Sequence, residues 1–145
     1  MSNDALFSKA IIQQYLPHLS SYCGTKRYEF SGGKSKGVEA LDVYSGSGFE
    51  FTVLPDRGCD ILGAKFKEIP VAFVSKGGLF APAYFQNGGM EYLKVFYGGL
   101  LTTCGLTLAG TPCTDIDPLL GEVELGLHGR VNSSLLKMLP SMNTG

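Results

Sequence analysis

Val38-Glu39-Ala40-Leu41-Asp42-Val43-Tyr44, Ser45-Gly46-Ser47-Gly48 and Phe49-Glu50-Phe51-Thr52-Val53-Leu54 follow one another without a break. The outer two segments carry the period-two patterning and the β-branched and aromatic residues of strands, and the serine-glycine tract between them is a strong turn. The three together predict a β-hairpin. Downstream, Asp60 to Phe66 predicts a further strand, Lys67-Glu68-Ile69-Pro70 a turn, and Val71-Ala72-Phe73-Val74 a short buried strand, so the chain reads as a meander of antiparallel strands.

Working outward, Leu6, Phe7, Ile11, Ile12, Tyr15 and Leu16 place a short amphipathic N-terminal helix within Ala5 to Leu19, ending before Pro17 and packed on a sheet edge. Residues 76–89, with Gly77-Gly78, Pro82 and Asn87-Gly88-Gly89, form a loop too long for a hairpin turn, either a binding loop or a plain surface excursion. Met90 to Tyr97 predicts one or two helical turns, Leu100 to Leu108 an apolar, Thr-rich central strand, and Thr111 to Gly121 a loop. Twenty glycines in such a chain imply many tight turns and bulges. The fold class is therefore mainly β, an antiparallel sandwich in a single domain spanning residues 1–145.

A chain of 145 residues buries about two thirds of its unfolded surface, enough for a core. Twelve Lys and Arg against thirteen Asp and Glu give a net charge of -1 without a basic block, which argues against nucleic acid as a partner. No apolar run reaches the ~18 residues of a membrane span, and the N-terminus lacks a basic and apolar leader pattern, so a cytoplasmic location and no membrane partner are expected. Cys23, Cys59, Cys104 and Cys113 lie at wide, irregular spacings beside only two histidines, which predicts reduced, mostly buried thiols and no metal. No glycine pattern matches a phosphate loop, and no cofactor is expected.

The residues with chemistry to offer fall in three segments. His128 carries an imidazole, a group able to exchange a proton with a sugar oxygen, although a lone histidine is commonly a hydrogen-bonded structural residue. Arg130, two positions on, would share a face with His128 on an extended strand and offers a fork of donors for hydroxyls or a carboxylate; an ion pair with Glu122 or Glu124 is its alternative. Arg57 and Asp60 flank Gly58 in a tight turn, either as a structural pair or with one leaning into a site. Gly98-Gly99 and Gly105 suit close backbone approach or a bulge around Thr103. Of the nine Phe and seven Tyr, Phe85 or Tyr97 is the best placed in sequence to line a site, the remainder being core. His18 has no comparable context and reads as a surface residue.

Three stretches taken together, Leu54-Pro55-Asp56-Arg57-Gly58-Cys59-Asp60-Ile61, Gly98-Gly99-Leu100-Leu101-Thr102-Thr103-Cys104-Gly105-Leu106 and Leu127-His128-Gly129-Arg130, resemble in the same order the signatures of a bacterial branch of the galactose-mutarotase-like, aldose 1-epimerase related proteins. The resemblance covers roughly residues 25 to 132, and residues 133–145 look like an unrelated tail. It implies an antiparallel β-supersandwich, of which this chain would be roughly the N-terminal half, and interconversion of the anomers of an aldose. It further implies His128 as a catalytic histidine, with Arg130, Arg57, Asp60 and Thr103 binding substrate. The family's second histidine and glutamate base have no counterpart in these residues. Three readings follow: a carbohydrate epimerase fragment inactive alone, a sugar-binding module, and an oligomerising or regulatory protein with no ligand. A small sugar is the expected partner, and a homo-oligomer through an exposed sheet face is expected beside it.

Overall fold

The computed structural model describes residues 9–134. A short helix, α1 (Lys9–Tyr15), opens this span and stops ahead of Pro17 as predicted; Ala5 to Ser8 of the expected helix lie outside the described residues. A 3-10 turn at Leu19–Ser21 then packs beside the first strand, where the Tyr44 hydroxyl donates to the Ser20 carbonyl at 2.8 Å.

Five strands follow in sequence order as one antiparallel sheet: β1 (Gly24–Glu29), β2 (Glu39–Tyr44), β3 (Phe49–Leu54), β4 (Asp60–Phe66) and β5 (Ile69–Pro70). The chain is mainly β, and its hairpin β2–β3 is the one the sequence marks, with Asp42 opposite Thr52 and Val43 opposite Phe51. Ser45 closes that hairpin, its hydroxyl donating to the Phe49 carbonyl at 2.8 Å while accepting from the Ser47 and Phe49 amides. Between β4 and β5 the turn is tighter than Lys67 to Pro70: Lys67 and Glu68 alone turn, both with left-handed backbone, and Ile69 and Pro70 already pair with Phe66 and Lys65.

Two small two-stranded antiparallel sheets complete the described residues. The strand β6 (Phe73–Val74) pairs with β7 (Gly98–Gly99), and β8 (Cys113–Asp117) pairs with β9 (Gly121–Leu125). A four-residue helix, α2 (Tyr92–Val95), lies within the helical stretch expected before the glycines. The β7 segment is laced to β4: the Leu100 amide donates to the Ile61 carbonyl at 2.8 Å, and the Ile61 amide to the Leu101 carbonyl at 2.9 Å. The glycines make this possible. A Cβ at Gly99 would stand 2.5 Å from the Ile61 carbonyl oxygen, one at Gly98 2.6 Å from that of Phe73, and both residues have positive φ.

The core gathers under one end of the sheet, where Val38, Ala40, Leu54, Ala81 and Tyr97 are buried with Tyr28, Phe30, Leu62 and Leu79 packed around them. Four expectations need correction. Val71, Phe73 and Val74 are exposed rather than buried, Phe73 at 71 %, because nothing among the described residues covers that edge. Leu100 to Leu108 is no central strand: the Thr102 and Thr103 hydroxyls bond the carbonyls of Gly98 and Gly58 instead of aligning a ladder, and Leu106, with φ of 64°, is 92 % exposed. Thr111 to Gly121 is not a loop but most of the β8–β9 hairpin, whose turn is built by the Asp117 carboxylate accepting from the Leu119 and Leu120 amides. Those two bonds hold the Asp117 carboxyl below its usual range. The thiols, finally, are free but mostly open, with Cys59, Cys104 and Cys113 exposed and Cys23 half-buried.

Substituting Gly99→Ala should destabilise the fold by about 1–3 kcal/mol from the left-handed backbone alone, with the Ile61 clash added, whereas Gly110→Ala, where a Cβ meets nothing within 4 Å, should change it by less than about 0.5 kcal/mol. Urea unfolding of the two variants measures both. The exposed run Phe66, Ile69, Val71, Phe73 and Val74 should drive self-association that Phe73→Lys weakens. A chain that sediments as a strict monomer at high concentration would contradict that expectation.

Candidate functional site

The Leu54 to Ile61 stretch sets the site. Pro55 begins a 3-10 turn, Pro55–Arg57, at the end of β3, and Gly58 in left-handed conformation reverses the chain into β4. Asp56 points outward and accepts from the Glu39 amide at 2.8 Å, so Arg57 and Asp60 face inward, both fully buried. A Cβ on Gly58 would approach the Val131 carbonyl oxygen to 3.0 Å, and through that contact the 3-10 turn Val131–Ser133 closes over the same spot.

Asp60 accepts from the Tyr97 hydroxyl at 2.6 Å and from the Thr103 amide, while the Thr103 hydroxyl donates to the Gly58 carbonyl at 2.9 Å. Burial pushes the Asp60 carboxyl above its ordinary value, and the Tyr97 and Thr103 bonds and the Arg57 charge offset this only in part. Burial, followed by the bond to Asp60, likewise holds the Tyr97 phenol protonated far above its usual range. Arg57 does not pair with Asp60 within 4 Å among the described residues. Its guanidinium instead lies 5.4 Å from the centre of the Tyr97 ring and reaches the Ser133 hydroxyl at 3.5 Å. Its Nε and Nη2 donors have no partner, and neither does Nδ2 of Asn132, which is 1 % exposed beside it.

His128 and Arg130 are not alternate residues of a strand, which corrects the expectation that both reach one ligand from a common face. His128 and Gly129 have φ of 58° and 70°, and the Gly129 amide bonds back to the Gly126 carbonyl at 3.0 Å, so the segment is a turn. The glycines on either side of Leu127-His128 are the physical reason. His128 is pinned to the Gly105–Gly110 loop, its carbonyl accepting from the Gly105 amide and its amide donating to the Gly110 carbonyl, both at 3.0 Å. Its half-buried ring meets Tyr92 edge to face at 5.3 Å, and its Nδ1 is buried without a partner. Burial first, then the charges of Asp60 and Cys104, pushes the Tyr92 phenol up to about 12.

Arg130 is exposed on a different wall. With Pro82, Phe85, Asn87, Ser133 and Ser134 it lines a cleft of about 520 Å³, and neither Glu122 nor Glu124 pairs with it among the described residues. The structure thus brings Arg57, Asp60 and Thr103 into one buried region, packs the His128 ring on Tyr92, and leaves Arg130 in the cleft that Ser133 also lines. Phe85 lines the cleft, and Tyr97 belongs to the core beneath it. His18 is exposed. Asn132 and Ser133 had no signal in the sequence, since their importance comes from packing on Gly58 and not from any spacing. A larger hollow of about 750 Å³ on the open sheet face is bordered by Lys26, Asp42, Tyr44, Glu50 and Lys65, but its Lys65 and Glu50 already pair at 3.1 Å. Among the described residues no three His, Cys, Asp or Glu could hold a metal ion, and no helix is long and apolar enough to cross a membrane.

Residues 35–135 match a family model described as a domain of unknown function, DUF4432, and the match includes every residue of this network. No curated protein and no solved structure matches the chain.

Asp60 also makes the site testable through pH. A carboxyl whose folded value lies above its unfolded value near 3.8 binds more protons folded than unfolded, so its contribution to stability falls as pH rises through that interval. The stability of the native chain relative to Asp60→Asn should therefore decline as pH is raised from about 4, read from urea unfolding at each pH. A relative stability that climbs instead would mean that Arg57 and the two hydrogen bonds outweigh burial.

Proposed function

The chain belongs to the DUF4432 family, and from that premise we propose that it is a carbohydrate-binding protein related to the aldose 1-epimerases, built on part of a β-supersandwich and taking a hexose or related sugar in the Arg130 cleft. The observation that carries this reading is the make-up of the cleft. One aromatic residue, Phe85, shares the cleft with Asn87, Arg130, Ser133 and Ser134, and Ser133 ties it to the buried Arg57, Asp60 and Thr103 network. Its volume falls in the range of small-molecule sites, roughly 300–1,000 Å³. A pyranose has an apolar face for a ring such as Phe85 and hydroxyls for the amide, guanidinium and serine groups.

In this reading Arg130 and Asn87 bind hydroxyls directly. Arg57, Asp60 and Thr103 position the Val131–Ser133 turn that carries Ser133 into the cleft. His128, with an unpartnered Nδ1, is the group able to move a proton at the anomeric centre. Anomer exchange requires proton transfer at two oxygens on opposite sides of one carbon. The only other histidine, His18, is exposed ahead of the Leu19–Ser21 turn, so this chain alone is expected to bind sugar without rapid turnover. The three exposed free thiols suit a reducing compartment such as the cytoplasm.

Calorimetric titration with D-galactose and D-glucose tests the reading, supported by NMR exchange rates of the freshly dissolved α-anomers. Binding is expected, with exchange close to the buffer rate, because the missing acid or base is worth on the order of 10²- to 10⁴-fold. Arg130→Ala should weaken binding with little change in melting temperature. Failure of every sugar to bind would leave the oligomerising protein without a ligand, which the exposed apolar run favours.

A further inference from the structure

The donors at this site outnumber the acceptors, and the imbalance is one of charge. Arg57 is completely buried with its Nε and Nη2 unpartnered, and the neighbouring Asn132 Nδ2 is a third buried donor without an acceptor. The Asp60 charge reaches this guanidinium only from beyond ion-pair distance, and a buried guanidinium that is neutralised only in part is costly. Asp60, the buried acid of the same turn, spends its oxygens on Tyr97 and Thr103, Asp56, next to Arg57 in sequence, accepts from the Glu39 amide, and neither pairs with Arg57 within 4 Å among the described residues. Ser133 connects this charge to the surface: its hydroxyl accepts from Arg57 Nη1 at 3.5 Å, lies 3.2 Å from Asn132 Oδ1 as donor, and lines the cleft. Arg130, a second guanidinium without an ion pair among the described residues, lines the same cleft, and the six lining residues include no carboxylate.

We propose that the cleft selects an anionic monosaccharide, a sugar bearing a carboxylate or a phosphate ester, with the oxyanion seated between Arg130 and Ser133 above Arg57. The proposal rests on the sugar-binding reading and sharpens its substrate class. Arg130 supplies a planar fork that matches two oxygens of the anion, and Ser133 carries the field of the buried Arg57 to the same point. Phe85 takes the sugar ring. A neutral hexose leaves Arg130 without a counter-charge and Arg57 with only the more distant Asp60, and that difference decides selectivity.

The test is calorimetric titration of the whole chain at low ionic strength with D-galacturonate, D-glucuronate, glucose 6-phosphate, D-galactose, acetate and inorganic phosphate. An anionic sugar is expected to bind roughly ten- to a hundredfold more tightly than D-galactose, the gain of a hydrogen bond to a charged group; whether uronates or the phosphate ester lead identifies the oxyanion. Arg130→Gln, at an exposed side chain whose loss leaves the fold intact, should erase most of that advantage; Ser133→Ala should reduce it as well, and because it also removes a hydrogen bond to the buried Arg57 its melting temperature is read beside its affinity. Equal affinity for D-galactose and the uronates overturns the charge selectivity while leaving sugar binding standing. Acetate or phosphate binding as tightly as the anionic sugars overturns the sugar reading and retains the anion site. Binding by none of the six overturns both.

Discussion

The Asp60 carboxylate, buried and held by the Tyr97 hydroxyl and the Thr103 amide, is the contact on which the rest of the structure depends. It stands at the first residue of β4 and fastens to that strand a segment some forty residues downstream that has little regular structure of its own. Without it, Thr103 would lose its place beneath Gly58, and the Val131–Ser133 turn its seat. Tyr97 answers the carboxylate while packing in the apolar core with Val38, Ala40 and Leu54, so a single phenol joins the hydrophobic and the polar halves of the interior. Such a network is worth most when complete, because a half-satisfied buried carboxylate is costlier than an apolar replacement.

Backbone closeness is the second constraint, and it explains why glycines are found where they are. The β7 strand can lie against Ile61 only because Gly99 has no side chain, and the Val131–Ser133 turn can lie against the Arg57–Gly58 turn only because Gly58 has none. Both are places where one loop rests on another with carbonyl oxygens facing the missing Cβ. The polar side chains of the site are consequently carried on loops, but each loop is clamped to the meander by a glycine and a hydrogen bond. That arrangement gives a cleft lined by loop residues without long elements of its own.

The parts of the fold with local causes were legible in the sequence. The β2–β3 hairpin, the extent of β4 and the helical turn before Gly98 follow from patterning and turn residues that act over a few positions. What misled was competition between local signals and tertiary partners. Asp115, Asp117 and Pro118 read as a loop, yet Asp117 uses its carboxylate to build a hairpin turn. The apolar Leu100 to Leu108 reads as a strand, yet its threonines bond neighbouring loops. For the site, Arg57, Asp60 and Thr103 were recognisable as a group and do assemble. The shared strand face of His128 and Arg130 was not real, because Gly126 and Gly129 allow a turn there. Asn132 and Ser133 could not have been found, since only the folded approach to Gly58 gives them a role.

In the proposed function the Arg57–Asp60–Tyr97 network supports a sugar cleft through Ser133 and is not merely an internal brace. A titration of the isotope-labelled chain followed by amide and arginine Nε NMR signals tests it most directly, with a hexose and the corresponding hexuronate added in turn. The account predicts that the shifts concentrate on Asn87, Arg130, Ser133 and Ser134 and carry inward to Arg57 and Thr103, while Lys26, Glu50 and Lys65 on the open sheet face stay still. Shifts confined to that sheet face, or none with either sugar, would contradict it.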